Sequence, residues 1–360
     1  MRIHDALNDL KNRLPVQRNG KSYKDTLLEE FAFFNKMFDE IEDADLETLF
    51  NSISSYESGL LTKRKMVSFI NDVQFTILDI IQKYYNGYPE KAYTILADLL
   101  GNTTFPPLRD ELRKRYRKTC LNEIYGNYFR VKIESEPKPL FRMRIDKEIL
   151  SREGLFHVPF DNRERVSTAR FSILGYPCLY LGTSLMVCWE EIKRKRKKNE
   201  KVFACKYQNR RFLILLNLTI PDTFTEDGIT SDPQEIFRFL ITYPFYSACL
   251  IKVQYPEQDF KPEYIIPQIL LQYVKNENNR GKHHGEEFYF DGIIYSSTKS
   301  DNYNEASHNI VIPTRKIADA GHCEELKERF FLSEIKEIKP NIALDDSIFD
   351  SCTFSKILST

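Results

Sequence analysis

The sequence predicts an α+β protein in which an N-terminal helical bundle over residues 1–135 precedes a mixed α/β domain over residues 138–335. Three observations carry this. Apolar residues recur at three-and-four spacing through the first 130 residues, the period of an amphipathic helix. A polar stretch containing Pro137 and Pro139 then breaks the pattern. Beyond it, short runs rich in β-branched and aromatic residues alternate with helical segments, as in a mixed sheet domain.

The bundle's helices follow from their spacing. SYKDTLLEEFAFFNKMFDEIED sets Leu27, Leu28, Phe31, Phe34, Met37, Phe38 and Ile41 on one face, with acids between them. DLETLFNSISS and KRKMVSFINDVQFTILDIIQKYY continue the period. PEKAYTILADLLG opens with Pro89 in a first-turn position and stops at Gly101, the expected asymmetry of helix ends. A further helix is expected from Pro107 through LRDELRKRYRKTCLNEIYGNYF, and VKIESEPKPLFRMRI is the linker. In the second domain CLYLGTS, KVFACKY, FLILLNLTI, YIIPQILLQYV, FDGIIYSST and NIVIPT are expected strands, whereas SLMVCWEEIKRKRKK and PQEIFRFLITYPFYSACL are expected helices. Residues 336–360 are expected to be a short tail packed on the surface.

Composition narrows the function classes. In 360 residues, 42% are hydrophobic and 29% charged, enough apolar content for sizeable cores. Lys and Arg total 52, as do Asp and Glu, so there is no basic excess of the kind that nucleic-acid or anionic-membrane binders show. No apolar run approaches the roughly 18 to 20 residues of a membrane span. The opening MRIHDALNDLKNRLPVQRNG has no apolar segment of signal-peptide type. A soluble, cytoplasmic protein is the expectation. The seven cysteines show no paired spacing and are expected to be reduced. The scattered histidines give no metal site, His283 and His284 being adjacent only in a polar stretch.

The chemistry concentrates in STARFSILGYPCLYLGTSLMVCWEE. Arg170 enters a turn with Gly175 and Pro177, a strand follows over Leu179–Leu181, and a helix opens near Thr183 or Ser184. Glu190 lies in an otherwise apolar helix, among Leu185, Met186, Val187, Cys188 and Trp189, where a carboxylate needs a partner or a ligand. The simpler alternative is an amphipathic helix turning to solvent at Glu190 and Glu191.

LFRMRI, RFSILGYPCLYLGTSLMVCWEE and DGIIYSSTKS with HNIVIPT together resemble the RES domain family, named for Arg, Glu and Ser. Its members are toxins of bacterial toxin–antitoxin systems that degrade NAD or use it to ADP-ribosylate a target, on a fold similar to that of ADP-ribosyltransferases. The family's Arg-aromatic-Asn-x-x-Gly...Tyr pattern is met by Arg170, Phe171, Ser172, Gly175 and Tyr180, with Ser172 in place of Asn. Its aliphatic helix with Glu falls on Leu185 to Glu190, with Glu191 one place away. Its opening aromatic-Arg falls on Phe141 and Arg142, with Arg144 the alternative, and its Ser falls on Ser297, beside Ser296.

The resemblance implies a site of definite chemistry, covering about half the chain. Arg142 and Arg170, with Arg144 in reserve, offer planar charged forks to the two phosphates of NAD. Tyr180 and Phe171 present aromatic faces to its rings. Glu190 stabilises the oxocarbenium character that develops when the nicotinamide–ribose bond breaks. Ser297 donates a hydrogen bond, and Ser172, Ser296 and Asn309 complete the binding set. NAD is then a substrate, with no permanently bound cofactor. Water, phosphate or a protein as acceptor would make the reaction glycohydrolase, phosphorylase or ADP-ribosyltransferase chemistry. No GxGxxG or P-loop is present to suggest a dinucleotide oxidoreductase or an NTPase.

Other features have plainer readings. The basic run at 193–198 suits the solvated C-terminal end of the Glu190 helix, the alternative being a nucleic-acid patch. His157 lines the pocket or is a hydrogen-bonded core histidine. The N-terminal helices loosely resemble the HEPN-like domains found ahead of some RES domains, without an RNase Arg-x4-6-His pair, which leaves a regulatory or partner-binding role. The expected partners are NAD, a cognate antitoxin or regulatory protein, and a second copy of the chain, with neither membrane nor nucleic acid. A non-enzymatic interaction or sensor module on the same fold is the competing class.

Overall fold

The computed structural model describes residues 1–52, 62–101, 130–133, 139–148, 151–197, 199–210, 213–220, 233–280, 290–299, 308–339 and 344–357. The expected helix from Pro107 and residues 134–138 of the expected linker lie outside them, and the rest of that linker is largely strand, Arg130–Ile133 and Leu140–Asp146, rather than a connection. The chain forms an α+β structure of two compact units. The first comprises Met1–Phe129 with Ile220–Tyr273, and the second Arg130–Thr219 with Val274–Thr360. The boundaries thus differ from two consecutive domains, because residues 220–273 belong with the N-terminal helices.

In the helical unit α1 (Ile3–Arg13), α2 (Tyr23–Glu40), α3 (Asp43–Ser52), α4 (Lys63–Tyr85) and α5 (Pro89–Gly101) follow one another. The first was not expected, although Ile3, Ala6, Leu7 and Leu10, all buried, have helical spacing. Ser22 and Thr62 cap α2 and α4, their hydroxyls accepting from the amides of Asp25 and Lys65. After α6 (Leu185–Ile192), which lies in the other unit, α7 (Pro233–Cys249) and the start of α8 (Ile265–Arg280) return to the helical unit. The segment YIIPQILLQYV, expected as a strand, is the start of α8: a short apolar run is ambiguous by period, and this one continues for sixteen residues.

A buried carboxylate ties α7 to the N-terminal helices. Glu30, 1% exposed, accepts from Arg13 Nε and Nη2 at 2.8 and 2.6 Å and from the Tyr243 hydroxyl at 2.5 Å. Such a group is tolerated inside only when charge and lone pairs are matched. Tyr23 donates to Ala248 O at 2.8 Å, and the Tyr243 ring stacks on Phe34 at 5.2 Å.

Among the described residues the second unit is built on a ten-stranded mixed sheet. Its strands are β1 (Arg130–Ile133), β2 (Leu140–Asp146), β3 (Cys178–Gly182), β4 (Lys201–Asn209), β5 (Leu213–Leu218), β6 (Gly292–Ser296), β7 (His308–Pro313), β8 (Phe330–Leu332), β9 (Lys336–Ile338) and β10 (Ser355–Lys356). The order is β1-β5-β6-β7-β3-β2-β4-β8-β10, with β9 also pairing β4. Among the described strands only β5 and β6 run parallel. β6 and β7 lie so close that a Cβ on Gly292 would stand 2.1 Å from Val311 O, which demands glycine there. Between β2 and β3 the register holds a single pair, Phe141 with Gly182, so the sheet nearly parts at its centre. Helix α9 (Glu324–Arg329) precedes β8.

The C-terminal residues are part of this unit rather than a surface appendage. β9 and β10 extend the sheet, Phe349 is fully buried against Phe141 at 5.9 Å, and Asp346 accepts from Leu185 N at 2.8 Å. The signal was faint because the anchoring residues are spread among polar ones. Among the described residues the six cysteines are free, and no helix is long and apolar enough to cross a membrane.

His157 is a core residue. Its Nδ1 donates to Val158 O at 2.7 Å and its Nε2 accepts from Cys323 N at 2.9 Å, an arrangement that requires the neutral ring. Burial drives its pKa from 6.5 down to about 3. The unfolded chain therefore binds the proton below pH 6.5 while the folded one does not, so this contribution to stability is present above pH 6.5 and is lost as pH falls towards 3.

Two stability measurements check these points. In denaturant titrations from pH 7.5 to 4.5, His157→Gln is less stable than the parent at pH 7.5, and the gap closes below pH 6.5 by up to ~1.4 kcal/mol per pH unit. A constant gap would mean that the folded protein protonates His157. Phe349→Ala costs about 3 to 5 kcal/mol in the same assay, as for a buried aromatic, whereas a surface tail would tolerate it.

Candidate active site

The site forms where β3 ends. Gly182 pairs with Phe141 of β2 on one side and with Asn309 of β7 on the other. The chain then turns through Thr183, whose amide donates to His308 O at 2.9 Å, and enters α6. Ser184 caps this helix, its Oγ accepting from Val187 N at 3.3 Å, while the Leu185 amide is taken by Asp346. A Cβ on Gly182 would lie 2.7 Å from Cys188 Sγ and 3.2 Å from Ser184 O, so a larger residue at the strand end would push on the start of the helix. Leu185, Val187 and Cys188 face the core, which brings the Trp-Glu-Glu end over the edges of β6 and β7.

Glu191, not Glu190, meets the other expected residues. Its Oε1 accepts from Asn309 Nδ2 at 3.1 Å and from Ser297 Oγ at 3.4 Å. Its Oε2 is 2.5 Å from Lys299 Nζ. Glu190 instead pairs with Lys193 on the following turn. The helix rotates about 100° per residue, so the neighbouring acids cannot share a direction.

Ser297, Thr298 and Lys299 follow β6 and divide the site between them. Ser297 and Lys299 reach Glu191 while Thr298 turns to Arg170. Arg170 Nη2 donates to Thr298 Oγ1 at 3.1 Å, and the residue is buried. Ser296 is buried within β6, its backbone paired with His308. Lys299 and Thr298 were not singled out in the sequence, although the i, i+2 relation of Ser297 and Lys299 after a strand was the available signal.

Arg142 lies across the parting between β2 and β3. Its Nη1 donates to Tyr180 O at 2.6 Å, while its buried Nε has no hydrogen-bond partner among the described residues. Arg144, two residues on, donates to Phe156 O at 3.0 Å; burial, and then the Arg142 cation, lower its pKa to about 9. Neither arginine has a carboxylate partner among the described residues. The Cys188 thiol, pushed up to about 12 by burial, is lowered by Arg142 and raised by Glu191, which sets both charges around one helix.

The remaining expected residues are fixed locally. The Tyr180 hydroxyl donates to Phe171 O at 2.9 Å, and burial holds the phenol well above its usual range. Phe171 packs on Tyr295 with ring centroids 4.4 Å apart. Ser172 Oγ donates to Ala169 O at 2.9 Å and accepts from Ala169 N at 3.0 Å, closing its own loop. His157 stands apart from these contacts, bonded to Val158 and Cys323. The basic run leaves the helix at Ile192, and Lys193, Arg194, Arg196 and Lys197 are exposed. Among the described residues no group of three or more His, Cys, Asp or Glu is placed to hold a metal.

The arrangement combines one oriented carboxylate with guanidinium groups on two neighbouring elements. Such a set can hold a polyanion by its phosphates and set a negative charge beside a developing cation.

No protein-family model and no solved structure matches the chain. Over 334 residues it is 31% identical to a curated protein of Bacillus subtilis (strain 168) named "Putative toxin YopC", a stretch that covers 89% of this chain and 67% of that protein. Identity at that level along most of both chains means that the protein belongs to the YopC family.

Proposed function

We propose that the protein is an NAD-consuming toxin or defence effector of the RES type, which cleaves the nicotinamide–ribose bond. The observation that carries the reading is the Glu191 carboxylate, oriented by Ser297 and Asn309, with Arg170 bonded to Thr298 next to Ser297. The name of its YopC relative agrees with a toxin. The motif order from Phe141 to Asn309 supports the RES assignment and NAD.

In this reading the pyrophosphate is held by the arginines, of which Arg142 keeps a buried Nε–H without an acceptor among the described residues. The glycosidic electron pair leaves with nicotinamide, C1′ of the ribose gains oxocarbenium character, and the Glu191 carboxylate stabilises it. Ser297 and Asn309 hold the carboxylate so that no reorientation is needed as charge develops. The nucleophile of the acceptor then bonds to C1′ and, if it is water, releases a proton.

Nicotinamide release from NAD by the purified protein tests the reading. Glu191→Gln is expected to cost on the order of 10²-fold in turnover, whereas Glu190→Gln stays within a few-fold. The reverse order would transfer the role to Glu190, and no release by the parent protein would end the NAD reading in favour of an interaction module. In cells, the parent lowers NAD and arrests growth while Glu191→Gln is tolerated.

The arginines and the basic run respond differently. Replacing Arg170 with Met weakens NAD binding by roughly 1.5 to 3 kcal/mol, as for a hydrogen bond to a charged group. Replacing Arg194, Arg196 and Lys197 with Ser leaves it unchanged, because exposed charges are screened within about 8 Å at physiological salt. Calorimetric titration with NAD, and with a random duplex at two salt concentrations, checks this. Loss of duplex binding in the second variant alone would favour a nucleic-acid binder.

A further inference from the structure

Glu191 carries two kinds of partner with different work to do. Oε1 is held by Ser297 and Asn309, which are 0% and 6% exposed and come from the end of β6 and from β7. Those bonds fix the carboxylate without help from Lys299. Lys299 sits on the other oxygen at 2.5 Å, with its side chain 38% exposed and that of Glu191 33% exposed. The ammonium also donates to the backbone O of Glu191 at 3.2 Å, in the last turn of α6, where carbonyls lack intrahelical donors and favour a cation. It therefore has a second acceptor to rest on if the carboxylate is taken by something else.

A carboxylate stabilises a growing positive charge only to the extent that its own charge is uncompensated. With an ammonium in contact, the outer oxygen of Glu191 is neutralised on the side open to solvent. We propose that Lys299 is a built-in cationic plug, which occupies Glu191 in the free protein and withdraws to the backbone carbonyl when a ligand brings its own delocalised cation to that oxygen. For the identity of that ligand, the pyridinium ring of NAD, the proposal rests on the NAD reading of the site. A plug of this kind leaves the carboxylate neutralised until a cationic substrate arrives.

The pair is a third exposed, so displacing it costs little, and its removal should be felt as a modest gain in affinity. The experiment measures binding of 1-methylnicotinamide, a bare pyridinium cation, together with NAD turnover, for the parent, Lys299→Met, Lys299→Arg and Lys193→Met. The last removes an equal charge from Glu190 and controls for net charge. Lys299→Met is expected to bind the cation roughly three- to fivefold more tightly and to lower KM for NAD similarly with kcat retained, the other two variants behaving like the parent. A tenfold fall in kcat with unchanged affinity would overturn the plug and make Lys299 a positioning residue for Glu191. If no variant consumes NAD but Lys299→Met still gains affinity for the cation, the plug stands and the NAD reading falls. If NAD is consumed while all four proteins share one KM and one affinity, the plug is overturned and the NAD reading stands.

Discussion

The parting between β2 and β3 is the constraint on which the second unit depends. Their ladder holds one pair, Phe141 with Gly182, and beyond it the Arg142 guanidinium takes over by donating to Tyr180 O. An arginine buried to this degree would normally demand a carboxylate. Here a backbone carbonyl accepts one of its donors while Nε is left without an acceptor among the described residues. The cation is thus kept inside the fold with part of its hydrogen-bonding capacity unused. The neighbouring features follow from that opening: Gly182 is small because α6 must approach, and α6 approaches because Ser184 and Asp346 satisfy its first amides.

Elsewhere three buried carboxylates lie in matched sets. Asp291 is fully buried between Arg315 and Arg329, at 2.6 and 2.5 Å, and also accepts from Ile214 N at 2.8 Å. Glu30 is matched by Arg13 and Tyr243, and Glu263 by Arg18 at 2.6 Å. Against those sets, the incomplete satisfaction of Arg142 marks the β2–β3 opening as different in kind. Perturbed and unmatched groups concentrate where a protein binds or reacts.

Much of this was legible in the sequence, and the failures have physical causes. The amphipathic period located α2, α4 and α5, and the Gly175 turn, the β3 strand and the Ser184 cap were all readable from local chemistry. The helix starting at Ile265 reads as a strand in the sequence because β-branched residues dominate its first turns. The choice between Glu190 and Glu191 was out of reach, since a one-residue slip on a helix is a rotation that only the packing of Leu185 and Cys188 fixes. Lys299 escaped because its partner is 108 residues away. The placement of residues 220–273 with the N-terminal helices escaped for the same reason: no local pattern encodes which core a segment joins.

That placement bears on how the chain is made. Emerging from a ribosome, α2 presents Glu30 to a core whose second acid partner, Tyr243, lies 213 residues downstream. Arg13 is available at once, so the charge is covered early, but the apolar face that receives α7 stays open until much of the sheet has been translated. Loops closed over such distances form slowly and leave apolar surface exposed meanwhile. A nascent chain of this layout has a long interval in which a holdase or an assembling partner can grip the unfinished bundle, before the unit that carries Glu191 and Ser297 has been completed.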